Sequence, residues 1–419
     1  MEKFIIRGGV PLKGKIRVKG AKNSALPLMA GCLLPEGKSR LENIPHLTDI
    51  TAMAKVLEGL GAEIKREDSI LEINTEKLSS YEPPSHLVKM MRASILVLGP
   101  ILARFGYARV PLPGGCNIGV RPVNLHLEGL KKLGAEIKVK NGYIEAHTKR
   151  RLKGGKICLN LPSVGATENL LLAASLAEGT TLINNASCSP EVIDLINFLK
   201  KMGAEIENRG EKSIKVEGVK ELRPVSYSII PDRIEVGTFI IAGIITRGEI
   251  TIEGVCMNHL RMPLEKLREM NAEMEITSSE VKIKKEESTW KPIKIETLPY
   301  PGFPTDIQPQ ITTLACLAQG VSIIVETIFK DRFTHLSELR KMGADIERKE
   351  GMAIVRGVPL LQGTPVVASD IRGGAALILA GLTAKGVTEI HNISHIDRGY
   401  EKIDERLLKL GANISRMSQ

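Results

Sequence analysis

Six short segments of this chain are versions of one another. They are LEGLGAEI (57–64), LKKLGAEI (130–137), LKKMGAEI (199–206), LREMNAEM (267–274), LRKMGADI (339–346) and LLKLGANI (407–414). Their turn residues, Gly61, Gly134, Gly203, Asn271, Gly343 and Gly411, stand 68–73 residues apart. Each segment reads as the last turn of an amphipathic helix, then a left-handed C′ residue, then the start of a strand. Glycine fills the C′ position five times and asparagine once, because these residues tolerate positive φ.

A second series interleaves with the first. Apolar runs beginning at 22, 92, 165, 235, 307 and 372 each lead to a turn glycine: Gly37, Gly106, Gly179, Gly248, Gly320 and Gly386. GATENLLLAASLAEG and EVGTFIIAGIITRG are examples. These runs are apolar nearly all round, so they predict buried helices. Each unit of about 70 residues therefore holds one buried helix, one amphipathic helix and several short strands, a period longer than those of common solenoids. A single core stops growing at roughly 250–300 residues, so 419 residues predict two domains of three units. The boundary is expected near 225–231. The strands before residue 22 have no unit of their own, and the truncated last unit is the expected place for them to pair.

If the buried helices run alike, their N-termini converge on an inter-domain cleft, where free N–H groups and the helix dipoles attract anions. Three of the six starts carry a cation: Lys22, Arg92 and Arg372. The net charge of +10 also points to an anionic partner, but only 3% of residues are aromatic, too few for base-stacking platforms. No nucleic-acid partner is expected. The longest apolar run, 93–103, is broken by Gly99-Pro100 and falls short of the ~20 residues of a membrane span. MEKFIIRGG lacks the apolar region of a signal peptide. Six scattered cysteines without a C-x-x-C read as reduced thiols of a cytoplasmic protein.

Two near-matches to a P-loop fail. GVPLKGKI (9–16) ends in Ile16 where a hydroxyl is required, and GCLLPEGKS (31–39) closes a helix instead of opening one. His391 and His395 lack the partner motif of a zinc site. There is no G-x-S-x-G.

The stretch PGGCNIGVRP (113–122) is different in kind. Its glycines let the backbone approach a ligand, and Arg121 stands five residues from Cys116, where a guanidinium favours thiolate. Later units carry PGFPTDIQPQ with Asp306, ETIFKDRF with Arg332, ASDIRGG with Asp370 and Arg372, and SHIDRGYE with His395, Asp397 and Arg398. Together these offer a thiol, carboxylates and six cations (Lys22, Arg92, Arg121, Arg332, Arg372, Arg398), a set suited to phosphate-bearing substrates and acid–base chemistry.

KGAKNSALP, LPGGCNIGVRPVNLH, PDRIEVGTF, PGFPTDIQPQ and HIDRGYE resemble the enolpyruvyl transferases, over essentially the whole chain. The resemblance implies an α/β (α+β) fold of two similar domains, each of three βαβαββ units with buried helices, an inverse α/β barrel. The domains would be 22–229 and 1–21 with 230–419. It implies transfer of the enolpyruvyl group of phosphoenolpyruvate to the 3-hydroxyl of UDP-N-acetylglucosamine, with release of phosphate, through a tetrahedral intermediate. This is the first committed step of peptidoglycan synthesis, run without metal or organic cofactor and without an obligate protein partner.

By the same resemblance Asp306 is the general base on the hydroxyl and Cys116 the acid that protonates the enol carbon. Lys22, Arg121 and Arg398 clamp the phosphate, and Asn23 and Arg92 contact anion and sugar nucleotide. Arg121, Pro122, Val123, Asn124 and Leu125 line the uracil side; Leu161, Ser163, Val164 and Gly165 belong to a nucleotide-binding segment; Ile328 touches the sugar. Arg332, Asp370 and Arg372 close on ligand. Two positions depart from the pattern: Asn124 where relatives often have Asp, and Leu161 where some have Lys. Cys116 also predicts alkylation by the epoxide antibiotic fosfomycin. Two alternatives remain: the sister enzyme acting on shikimate 3-phosphate, which needs no loop cysteine, and an RNA-binding protein like the RNA 3′-phosphate cyclases.

Overall fold

In a computed structural model the described residues are 2–114, 123–210, 212–285 and 288–418. They form two compact units, one of residues 20–114 and 123–230, the other of residues 2–19 and 231–418. Each has its own hydrophobic core.

In the unit of residues 20–230 the buried elements are Lys22–Gly31, Arg92–Val97 continuing into Leu98–Phe105, and Val164–Ala174, all packed on one another. The last of these shows why: residues 166–174 are all buried, so no face is left for solvent. Gly31 permits the close crossing, since a Cβ there would press on Phe198 and Leu172. The amphipathic helices Thr48–Gly59, Asn124–Lys132 and Pro190–Lys201 cover this core. Pro190–Lys201 has proline and Glu191 in its first turn and Lys200 and Lys201 in its last, the charge order that suits the dipole. The three sheets run 226–228/38–42/70–74/63–67, 107–111/143–147/136–140 and 156–158/180–184/214–217/205–208. In each four-stranded sheet the first pair is parallel and the others antiparallel, the signature of a βαβαββ unit.

The unit of residues 2–19 and 231–418 repeats the scheme. Its buried helices are Arg233–Ile245, Gln308–Ala315 (preceded by the 3₁₀ turn Thr305–Ile307) and Ile371–Thr383, and Arg261–Glu269, His335–Lys341 and Ile403–Lys409 lie over them. Strand Glu2–Arg7 pairs with Val387–His391 and Asn413–Ser418, completing the last unit as expected. Strand Lys13–Arg17 does not follow it there: it pairs in parallel with Glu249–Glu253 and supplies the first strand of the fourth unit. A two-strand N-terminal segment thus serves two different sheets.

All six C′ residues of the first series have positive φ, from 68° at Asn271 to 105° at Gly203. In the second series five of the six glycines do so. At the sixth, Arg247 takes the left-handed position at φ 52°, and Gly248 is required for another reason: a Cβ there would overlap the backbone of Leu12.

Candidate active site

In the unit of residues 2–19 and 231–418 the starts of the three buried helices meet. Each is marked by an aspartate. Asp232 caps the first, its Oδ1 accepting from the Ile234 and Glu235 amides at 2.8 and 3.2 Å. Asp370 caps the third, accepting from the Arg372 and Gly373 amides at 2.9 and 3.0 Å. Asp306 lies within the first turn of the second, and its carboxylate is held by arginines: Oδ1 lies 2.6 Å from Arg332 Nη1 and Oδ2 3.8 Å from Arg372 Nη2. Both arginine side chains are only 4% exposed, while Asp306 keeps 27%. Two buried cations thus present one partly accessible carboxylate and favour its charged form.

The electrostatics keep this arrangement charged. Burial by itself would lower the Arg372 guanidinium, but Tyr400, Asp306 and Asp232 outweigh it and hold Arg372 above its ordinary value. The Arg372 guanidinium also lies over the Tyr400 ring, 5.3 Å from its centroid. Burial pushes the Asp370 carboxyl up; the Gly373 amide, Arg332 and His335 more than reverse this and leave it below the usual range. Arg332 Nη1 also donates to Thr305 Oγ1 at 3.0 Å. Ile328, named for the sugar, is half-buried and donates its amide to Glu326 Oε1 at 2.9 Å. Arg398 is the C-cap of the short helix Ser394–Asp397. Its neighbour Asp397 is engaged elsewhere, with Arg416 Nη2 at 2.7 Å and Nη1 at 3.1 Å, so it serves the fold.

The unit of residues 20–230 builds a second polar group. Lys22, buried at the start of its helix, places Nζ 3.0 Å from buried Asp49 Oδ2. A lysine has three donors, so this pair anchors Nζ and leaves further hydrogen-bonding capacity for an anion. Asn23 beside it is half-buried. Arg92 opens the next buried element and bears on His126, whose ring is pushed down to about 4 by burial first and by Arg92 second. Asn169 reads the His126 tautomer: its Oδ1 accepts from the Gly99 amide at 2.8 Å, so its Nδ2 donates to His126 Nδ1 at 3.1 Å and the ring proton sits on Nε2.

Around this imidazole gather two of the segments that the family resemblance assigns to the nucleotide. Val123, exposed Asn124 and half-buried Leu125 open the helix that carries His126. Ser163 caps Val164–Ala174 by accepting from the Ala166 amide at 3.3 Å, Val164 is exposed, and a Cβ on Gly165 would touch His126 Cε1 at 3.4 Å. Leu161 is 68% exposed, an apolar side chain standing in water. Cys116, Arg121 and Pro122 lie outside the described residues. Among the described residues no group of three or more His, Cys, Asp or Glu is placed to hold a metal ion, and no helix is long and apolar enough to cross a membrane.

Several residues of these clusters escaped the sequence reading: Asp49, His126, Asn169, Asp232, His335 and Tyr400. One signal was present. PDRI (231–234), TDIQ (305–308) and SDIR (369–372) place an aspartate at the same point of three successive units. The others carry no motif of their own.

The fold and its clusters define a class. Residues 6–407 match the family described as EPSP synthase (3-phosphoshikimate 1-carboxyvinyltransferase), and the chain belongs to this family, the enolpyruvyl transferases. The enolpyruvyl transferase NikO of Streptomyces tendae superposes with a TM-score of 0.91 at 25% identity, covering 100% of this chain and 99% of that one. EPSP synthase of Acinetobacter baumannii superposes at 0.80 with 20% identity over the full length of both, a likeness of fold alone.

Within the family the similarity is more particular. The chain is 49% identical over all 419 residues, and over 100% of the relative, to UDP-N-acetylglucosamine 1-carboxyvinyltransferase 2 of Carboxydothermus hydrogenoformans. It is 48% identical, again over the full length of both, to UDP-N-acetylglucosamine 1-carboxyvinyltransferase of Trichlorobacter lovleyi.

Proposed function

We propose that this protein transfers the enolpyruvyl group of phosphoenolpyruvate to the 3-hydroxyl of UDP-N-acetylglucosamine, releasing phosphate, and so serves peptidoglycan synthesis as a cytoplasmic enzyme. The observation that carries the chemistry is the Asp306 carboxylate set between Arg332 and Arg372 at the meeting point of three helix starts. Near-50% identity over the full length supports the sugar nucleotide over shikimate 3-phosphate as acceptor. Membership of the enolpyruvyl transferases sets aside the RNA-binding alternative.

In the proposed reaction Asp306 takes the proton of the 3-hydroxyl as its oxygen bonds to C2 of phosphoenolpyruvate. Cys116 gives its proton to C3, which becomes a methyl group. The C2–O bond to phosphate then breaks, the methyl returns a proton to the Cys116 thiolate as the double bond forms again, and the proton taken up by Asp306 leaves with the phosphate. Lys22, Arg121 and Arg398 neutralise the phosphate, with Asn23 beside them. Arg92, Pro122, Val123, Asn124, Leu125, Leu161, Ser163, Val164, Gly165 and Ile328 hold the sugar nucleotide, and Arg332, Asp370 and Arg372 close on it. Arg121 favours thiolate, whereas an acid must keep its proton; the bound anionic substrate reverses that preference.

The test is phosphate release from phosphoenolpyruvate with UDP-N-acetylglucosamine, beside the same assay with shikimate 3-phosphate. Release with the sugar nucleotide alone is expected. Release with shikimate 3-phosphate alone, or with neither, overturns the reading.

A further inference from the structure

A cavity of about 370 Å³ lies apart from these residues, between strand Lys13–Arg17 and helix Ile403–Lys409. Its walls are Lys15, Ile16, Arg17, Lys19, Glu401, Lys402, Glu405, Arg406 and Lys409: six cations, two carboxylates and one apolar side chain. The carboxylates are already engaged. Glu401 pairs with Lys19 at 3.3 Å and Glu405 with Lys402 at 3.2 Å. Lys15 reaches Glu253 only at 3.7 Å with its side chain largely in water. Arg17 and Lys409, both exposed, have no acidic partner among the described residues.

The wall also holds a buried cation with unused capacity. Arg406 lines the cavity yet is 8% exposed. Its Nη2 donates to Glu235 Oε1 at 2.8 Å and to the Arg17 carbonyl at 3.0 Å, while its Nη1 is buried without an acceptor. The guanidinium packs 4.7 Å from the Phe239 ring centroid, and its fixed charge adds to the positive potential of the wall. Lys402 is held at φ 44°, in the left-handed region that lysine rarely occupies. A concave space of this size, with six cations on its walls against two carboxylates that are already paired, suits a small polyanion better than a flat macromolecular contact.

We propose that this cavity is a second anion site, taking a small molecule with two or more phosphate groups. Neither wall belongs to the residues assigned to the reaction, but both lead to them: Lys19 precedes Lys22 by three residues and Glu401 follows Arg398 by three. The inference does not depend on which acceptor the enzyme uses.

The test uses pyrophosphate as probe, with calorimetry at low salt and hydrogen exchange in parallel. Expected are saturable binding, protection of peptides 13–19 and 400–410, and at least tenfold weaker binding in Arg17→Ala/Lys409→Ala, whose exposed side chains leave folding intact. Protection confined to peptides containing Lys22 or Asp306, affinity unchanged in the double variant, or no binding at millimolar pyrophosphate each overturns the proposal. The last holds even if an oligonucleotide or acidic peptide binds.

Discussion

Arg332 and Asp306 form an ion pair of 2.6 Å in which the arginine is almost wholly buried and the carboxylate is not. The guanidinium is fixed by Thr305 and packs 5.8 Å from the Phe329 ring centroid, so the pair aims Asp306 more than it shields it. Asp306→Asn keeps shape and removes the proposed proton acceptor. Its kcat for phosphate release should fall by roughly 10²–10⁴, the usual range for losing a general base, with the KM for UDP-N-acetylglucosamine changed far less. Arg332→Gln should lower kcat too, through a misdirected Asp306. Steady-state kinetics separating kcat from KM check both; an unchanged kcat in Asp306→Asn removes it from the chemistry.

Lys22 and Asp49 are a buried pair, their side chains only 7% and 8% exposed. Removing one partner of such a pair leaves a charge without compensation and costs about 3–5 kcal/mol. Asp49→Asn should therefore lower the free energy of unfolding from denaturant titration by an amount of that order and raise the KM for phosphoenolpyruvate at least tenfold. A stable variant with unchanged KM would show that Lys22 is not positioned by Asp49.

Acid should weaken the fold well above the carboxylate range. His126 titrates near 4 in the fold because burial opposes its charge, against about 6.5 in the unfolded chain. Between these values the unfolded chain takes up a proton that the native state refuses, so stability falls as pH drops from about 6.5 towards 4. At pH 5 this one group accounts for roughly 2 kcal/mol at 1.36 kcal/mol per unit. His335, fully buried with neither ring nitrogen hydrogen-bonded, is shifted the same way by burial and adds to the slope. Urea unfolding at pH 7 and pH 5 should show the loss, and His126→Gln should reduce the difference.

The thiols should divide sharply. Burial pushes Cys32 and Cys316 up to about 12, so neither offers thiolate at neutral pH. An alkylating reagent on the native protein at pH 7 should leave both unmodified while labelling Cys116, the thiol beside Arg121 in sequence. Substrate binding should slow Cys116 labelling and raise its apparent pKa. Peptide mapping reads both; labelling of Cys32 before Cys116 would contradict the burial of the first or the activation of the second.

Much of the architecture was legible from local rules. The C′ residues could be picked out because only glycine and asparagine take positive φ cheaply, and the buried helices because they lack a polar stripe. Gly248 shows the limit of that logic. Its pattern matches the other five glycines, but the backbone of Leu12 explains it, 236 residues away along the chain.

The sequence by itself determined the six units, their buried and covering helices, and the residue types gathered for anions and proton transfer, since all of these follow from periodicity and composition within one unit. Only the tertiary structure decided which partners those residues take. Asp306 goes to Arg332 and Arg372, Lys22 to Asp49, and Asp397 to Arg416, outside the site, while strand Lys13–Arg17 leaves its neighbour to open the fourth unit. The physical reason is range. A propensity acts over a few residues of chain, whereas a hydrogen bond or ion pair acts over a few ångströms of space, and packing sets which distant residues come that close.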